Sequence, residues 1–199
     1  MTDFEVHALS LTEIDRATKT IVEAFETDPM MLWLFGGDEG YKKYASFAIH
    51  SWVKWTILYG LAISTKNYEA VALRKKPGKL NFSFCGMLRS GMFSYYRVLG
   101  KEIMHRLITL GKFIESEQRS NMKNQKFWYC WMIAAKPENR GQGYGRALMN
   151  YTFNLANQEK LPCYLETATL NNVAIHKNKG FKLYSESFIP STGINLNIS

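Results

Sequence analysis

Arg140-Gly141-Gln142-Gly143-Tyr144-Gly145 lies between an apolar run, Phe127 to Ala135, and an amphipathic segment, Ala147 to Ala156. A strand that runs into a glycine-rich turn and then a helix is suited to holding an anion. Glycines at 141, 143 and 145 remove the Cβ atoms that would keep an anion off the main chain, so successive backbone N–H groups can converge on one oxygen cluster. The first N–H groups of the following helix lack intrahelical partners and carry about half a positive charge, worth roughly 0.3–2 kcal/mol to an anion placed there. The turn is expected to be an anion cradle.

Which anion it holds is narrowed by what the turn lacks. A nucleotide-hydrolysing P-loop needs Lys and then Ser or Thr after its last glycine, but Arg146 and Ala147 follow Gly145. A dinucleotide fingerprint needs a third glycine at position 146, which is arginine, and an acidic residue for the ribose that the neighbouring unit does not supply.

The spacing Arg140-x-x-Gly143-x-Gly145, preceded by Pro137 and Glu138, resembles the pyrophosphate loop of the Gcn5-related N-acetyltransferases, the GNAT family. About twenty residues downstream, LETATLNNVAIHKNKGF from Leu165 to Phe181 is similar to that family's second signature: a strand, an asparagine, a short helix and a Gly-Phe turn. Together the two motifs cover the C-terminal third, while the first 125 residues match in outline. The Tyr129 to Pro137 run further resembles a stretch of the puromycin-acetyltransferase-like members, which points to a small-molecule acceptor. Phe127 stands where those members often carry histidine.

This resemblance implies an α/β fold with a mixed central sheet of about six to seven strands flanked by helices, in one domain over residues 1–199. Residues 1–60 would form a helical acceptor side and residues 127–181 the acetyl-CoA-binding core. Transfer of an acetyl group from acetyl-CoA to a primary amine is the implied reaction, direct and without a covalent enzyme intermediate. An amine with pKa near 10 is unprotonated to only about one part in a thousand at pH 7, so the site must remove a proton as well as polarise the thioester. The cosubstrate would be held by the main chain of Ile133, Ala134 and Ala135, by Arg140, Gly141, Gln142, Gly143, Tyr144, Gly145 and Arg146, and by Asn172. Where the family commonly has a tyrosine that protonates the leaving thiolate, this chain has His176. The strand from Phe127 to Ala135 has no carboxylate, and Tyr129 holds the matching position. Glu166, on the next strand, is the nearest carboxylate that could serve as general base. For the acceptor wall, Glu26, Asp28, Trp33 and Phe35 are the candidates among the first helices and their loops.

The rest of the chain is consistent with this frame. Phe4 to Ala8 is expected to be a strand, followed by a helix that Thr12 and Asp15 would cap and whose positions Ile14, Ala17, Ile21 and Phe25 recur at helical spacing. Asp28-Pro29 starts a second helix that Gly36 and Gly37 stop, and a third is expected over about Tyr41 to Tyr59. Leu61 to Thr65 and Ala70 to Arg74 suit a hairpin, and Lys101 to Ser120 suits a helix. Phe127 to Ala135 is expected to be a central strand, apolar on both faces and ended by Pro137. Later elements are a helix from Gly143 to Gln158, a strand from Cys163 to Thr167, a helix from Asn172 to Lys179, and strands near Phe181 to Phe188 and Ile194 to Ile198.

With 199 residues, 46% of them hydrophobic, the chain can bury one core, and no linker-like tract divides it. No apolar run approaches eighteen residues and no basic-then-apolar segment follows Met1, so neither a membrane partner nor export is expected, and the location expected is cytoplasmic. Cys85, Cys130 and Cys163 have no metal spacing and are expected to be reduced thiols; no metal is implied. The net charge of +8 is spread along the chain and forms no single stripe; Arg140, Arg146, Lys177 and Lys179 could serve the phosphates of coenzyme A. A small-molecule amine is the expected partner and a homodimer is compatible. Two other classes remain open at this point: a non-catalytic acyl-CoA-binding sensor and, less favoured, a basic nucleic-acid-binding domain.

Overall fold

The computed structural model describes residues 4–123, 125–168, 181, 185–189 and 194–198. Strand β1 (Val6–Ala8) leads through a short 3-10 turn into helix α1 (Ile14–Phe25), followed by α2 (Pro29–Phe35) and α3 (Asp38–Tyr59). The hairpin β2 (Leu61–Thr65) and β3 (Ala70–Lys75) precedes α4 (Phe84–Ser90) and the long α5 (Tyr95–Met122). Then come β4 (Trp128–Ala135), α6 (Tyr144–Glu159), β5 (Cys163–Tyr164), β6 (Glu166–Thr167), β7 (Ser185–Ile189) and β8 (Ile194–Ile198).

Among the described residues the strands form two sheets. One has five strands in the order β1-β2-β3-β4-β5, with only the β4–β5 pair parallel; the other has three in the order β6-β8-β7. This is the expected mixed α/β architecture, divided in two where a single continuous sheet was expected. Its division falls at Leu165, inside the segment read as one strand from Cys163 to Thr167.

Alternation along the strands explains the layers. On β3, Val71 and Leu73 pack with α1 and α3 residues such as Ala17, Ile21 and Trp52, whereas Ala70 and Ala72 face Leu148 of α6. β3 therefore buries both faces, as a strand with helices on both sides of its sheet must. In α3, the buried face runs through Tyr41, Ala45, Ala48, Trp52 and Trp55, positions three or four apart.

Local signals set most element ends. Asp28 accepts the Met31 N–H at 3.0 Å and Pro29 occupies the first turn of α2. The first helix is entered differently from expectation. Ser10 and Glu13 replace Thr12 and Asp15 as the capping pair, since the Glu13 carboxylate reaches back to the Ser10 N–H at 2.9 Å. Tyr68 and His7 also bond Glu13, and these contacts, Ser10 first, hold its carboxyl down to about 2. The helix expected from Lys101 begins at Tyr95 and kinks at Gly100, whose φ of +80° interrupts the helical path. Of the three cysteines, Cys130 is buried, Cys163 half-buried and Cys85 exposed, and all are unpaired. Among the described residues no helix is long and apolar enough to cross a membrane, and no cluster of metal-ligating side chains occurs.

Candidate active site

The glycine-rich turn leaves β4 through a 3-10 turn at Pro137–Asn139 and opens α6. Gly141 and Gly143 take φ of +78° and +97°, a region that L side chains avoid. The intrahelical ladder begins with the Ala147 N–H on the Gly143 carbonyl at 3.1 Å, so the N–H groups ahead of it point out of the helix start. Gln142 Nε2 donates to the Glu138 carbonyl at 2.9 Å and holds the turn closed, and the Tyr144 ring packs on Phe4 at 4.3 Å. Arg140 Nη2 donates to the Ala24 carbonyl at 2.7 Å, which directs its guanidinium to the end of α1, while Arg146 is exposed. Gly145 differs from the other two: its φ is ordinary and a Cβ there would meet only Ile133 Cδ1, at 3.8 Å. No neighbouring protein atom requires a glycine at this position. These features fit a diphosphate better than they fit a plain turn.

Beside the turn, one edge of β4 is left largely unpaired among the described residues. β5 pairs with it only at Trp128–Cys163 and Tyr129–Tyr164. Leu165 then turns its side chain among Cys130, Met149 and Phe181, and the chain passes into β6, which pairs with β8. From Cys130 to Ala135 no described strand covers that edge, so main-chain groups of Ile133, Ala134 and Ala135 lie open to an extended ligand. Ala134 is buried and Ala135 half-buried, so no long side chain stands over the strand end.

A bulge lies in the same stretch. β3 and β4 pair at Leu73–Met132 and again at Lys75–Tyr129, so Cys130 and Trp131 together oppose Arg74. Arg74 is fully buried and supports the bulge: its guanidinium donates to the Met132 carbonyl at 2.6 Å, the Leu73 carbonyl at 3.2 Å and Thr152 Oγ1 at 3.0 Å. Truncation would leave a cavity and three unmatched acceptors. Arg74→Ala is expected to lower stability by about 3 kcal/mol or more in urea denaturation. Cys130 shares a hydrogen bond with Cys163 and lies near this guanidinium, and both hold its thiol down, to about 7, while Cys163 is pushed up.

Across β4 from α6, a cavity of about 550 Å³ opens among α2, α5, β3, β4 and β6. Its floor is polar. Glu166 is half-buried there and accepts a hydrogen bond from Gln118 Nε2 at 3.3 Å, with the Tyr129 and Tyr164 phenols alongside. Burial raises its carboxyl to about 7 against the opposing pull of those phenols, Gln118 and Lys75. Burial likewise pushes Tyr129 well up, with the Glu166 charge adding to it. Lys75 is the other charged group. Its ammonium donates to the Leu80 carbonyl at 2.9 Å and faces four rings, Phe82 at 4.3 Å, Trp131 at 4.5 Å, Trp55 at 5.6 Å and Tyr129 at 5.8 Å. Burial lowers it to about 8, opposed by Glu166. A carboxylate titrating near neutrality in a cavity beside a largely unpaired strand edge is equipped to take a proton from a bound amine.

Glu166 thus lies where the sequence suggested a base could stand. Asn172 and His176, with the expected helix over Asn172 to Lys179, lie outside the described residues. The acceptor wall is corrected. Asp28 lines the cavity, but Phe35 is turned into the core against Tyr41, Trp33 packs under Arg106, and Glu26 borders a separate hollow. Met30, Met31 and Leu34 of α2 form that wall instead, because they occupy the helix face opposite β4. Lys75 and Gln118 gave no signal in the sequence: one belongs to an apolar strand, the other to a polar helix end, and only packing brings them to Glu166.

Comparison with known proteins accords with this geometry. The acetyltransferase (GNAT) family model matches residues 99–178. A Schizosaccharomyces pombe protein, described as an uncharacterized N-acetyltransferase, is 27% identical over 177 residues, covering 86% of this chain and 71% of the relative. Among solved structures, a Corynebacterium glutamicum protein described as histone acetyltransferase HPA2 and related acetyltransferase superposes with a TM-score of 0.71 at 19% identity, covering 99% of this chain and 95% of that one. The Drosophila melanogaster polyamine N-acetyltransferase, which catalyses the formation of N-acetylagmatine, gives 0.69 at 11% identity, with 98% of each chain covered. At these identities the two structures bear on the fold alone. The family match lies across β4, the turn and α6, and over this part of its length the chain is similar to the GNAT acetyltransferases.

Proposed function

We propose that this chain transfers an acetyl group from acetyl-CoA to the primary amine of a small molecule, with Glu166 as the general base. The observation that carries this reading is the half-buried Glu166 carboxyl, which desolvation raises to about 7, in a cavity lined also by β4 beside the stretch that no described strand covers. Bound acetyl-CoA supplies an activated acyl group. The first-turn N–H groups of α6 and the turn of Gly141 and Gly143 hold its diphosphate, and the uncovered main chain of β4 aligns its pantetheine arm. Backbone donors near the Cys130–Trp131 bulge polarise the thioester carbonyl. Glu166 takes the proton that the ammonium must lose before its nitrogen can attack. His176 is assigned as the acid for the departing thiolate from its motif position. The unpaired Cys130 and Cys163 support work in a reducing, cytoplasmic setting.

A thiol-release screen tests the reading: polyamines, arylalkylamines, amino acids and aminoglycosides are each offered with acetyl-CoA, and release above the amine-free rate is expected with at least one class. Calorimetric binding of acetyl-CoA with no release from any amine would make the chain a sensor instead.

A further inference from the structure

The charges around the acceptor cavity restrict which amine it takes, and this inference rests on the function proposed above. Three carboxylates border the cavity, Asp28, Glu115 and Glu166. Asp28 is engaged by its own helix, accepting the Met31 N–H, and Glu115 pairs with Arg119 and accepts from Asn81. Glu166 is the carboxylate proposed as the base, and it accounts for one ammonium.

A second ammonium on the same molecule would share the cavity with Lys75, which lines it together with Glu166. Its ammonium fills the cage of Trp55, Phe82, Tyr129 and Trp131 that would otherwise suit a foreign cation. Among the described residues no carboxylate lies within ion-pairing distance of Lys75, so its charge is uncancelled by a direct partner. Lys112 adds a second positive group to the lining. Beside polar groups such as Asn81, Gln118 and Thr167, much of the wall is hydrocarbon and thioether, with Met30, Met31 and Leu34 from α2 and Met104 and Leu107 from α5. Methionine walls adapt to apolar bodies of different shape and offer nothing to a charged one.

We infer that the acceptor is a primary amine with one cationic centre and an apolar aryl or alkyl body, and that Lys75 is the residue that excludes diamines and polyamines. Two like charges several ångströms apart in a partly buried site cost on the order of tenfold or more in affinity. 2-Phenylethylamine and octylamine would place the amine at Glu166 and the body against the methionines. Spermidine or agmatine would set its far charge against Lys75.

The full chain is assayed with these four amines, measuring kcat/KM by thiol release and, separately, affinity by calorimetry with coenzyme A present. The monoamines are expected to exceed spermidine and agmatine by about tenfold or more in both measurements. Lys75→Met, which keeps the cage apolar, and Lys75→Gln, which keeps a donor without charge, are each expected to narrow that ratio about tenfold. Because all four amines are compared at one pH, an altered Glu166 basicity cancels in the ratio. Equal or better use of spermidine by the unaltered protein overturns the inference. So does an unchanged ratio in both Lys75 variants. If no amine releases thiol while monoamines still bind preferentially, the transferase reading falls and the charge selection stands; preferential turnover of polyamines has the opposite meaning.

Discussion

Glu166→Gln is expected to lower kcat by about 10²–10⁴-fold with little change in acetyl-CoA affinity, the range that loss of a positioned general base produces. Glutamine keeps the shape and can still meet Gln118, but it cannot accept the amine proton. In the unaltered protein, activity should fall as pH drops through about 7, because the carboxyl is raised to that value and only its ionised form is a base. That limb should vanish from the residual activity of the variant. Stability moves the other way. The folded carboxyl titrates near 7 and an unfolded one near 4.5, so the folded state holds the extra proton between those values and loses stability as pH rises through the window. Above it the desolvated charge costs roughly 2–3 kcal/mol. The variant should therefore melt at the same temperature or higher at pH 8 while being nearly inactive, which separates loss of chemistry from loss of fold. Wild-type kcat in the variant, or an unmoved pH profile, would remove Glu166 from the mechanism.

Gly143→Val is expected to weaken acetyl-CoA binding by on the order of 100-fold, the loss of one or two charge-assisted hydrogen bonds. Gly143 has a φ of +97°, which a β-branched residue cannot adopt without strain, and its Cβ would press on the Phe4 ring at 3.4 Å. The turn must shift, and the first-turn N–H groups of α6 shift with it. Helix α6 itself should persist, since Leu148, Met149, Thr152 and Ala156 anchor its inner face. Gly145→Ala is the control: with an ordinary φ and an ordinary contact at Ile133, affinity should change by no more than a few fold. Equal affinity of the Gly143 variant and the unaltered protein in calorimetry would mean that the turn grips no diphosphate.

The contrast between these two glycines shows where the sequence was legible. Three glycines spaced before an amphipathic helix identified the turn, but their roles depend on backbone angles that only the folded chain displays. Asp28-Pro29 and Gly36 delimited α2 correctly because capping and turn chemistry is local. The wall of the acceptor cavity was not legible from the same segment. Trp33 and Phe35 drew attention as aromatics, yet the partners of α2 decide that Met30, Met31 and Leu34 face the cavity.

Motif order and the strand-turn-helix pattern, both local in character, by themselves determined the family resemblance, the glycine-rich turn proposed to hold an anion and the suspicion that fell on Glu166. Tertiary structure alone decided that the chain leaves the first sheet at Leu165, that no described strand covers β4 beyond Tyr129 on that side, and that Lys75, Gln118, Tyr129 and Glu166 come together. Those residues come from four elements, and a carboxyl acquires a pKa near 7 only from what surrounds it: burial and the neighbouring charge are properties of packing, which residue spacing does not encode.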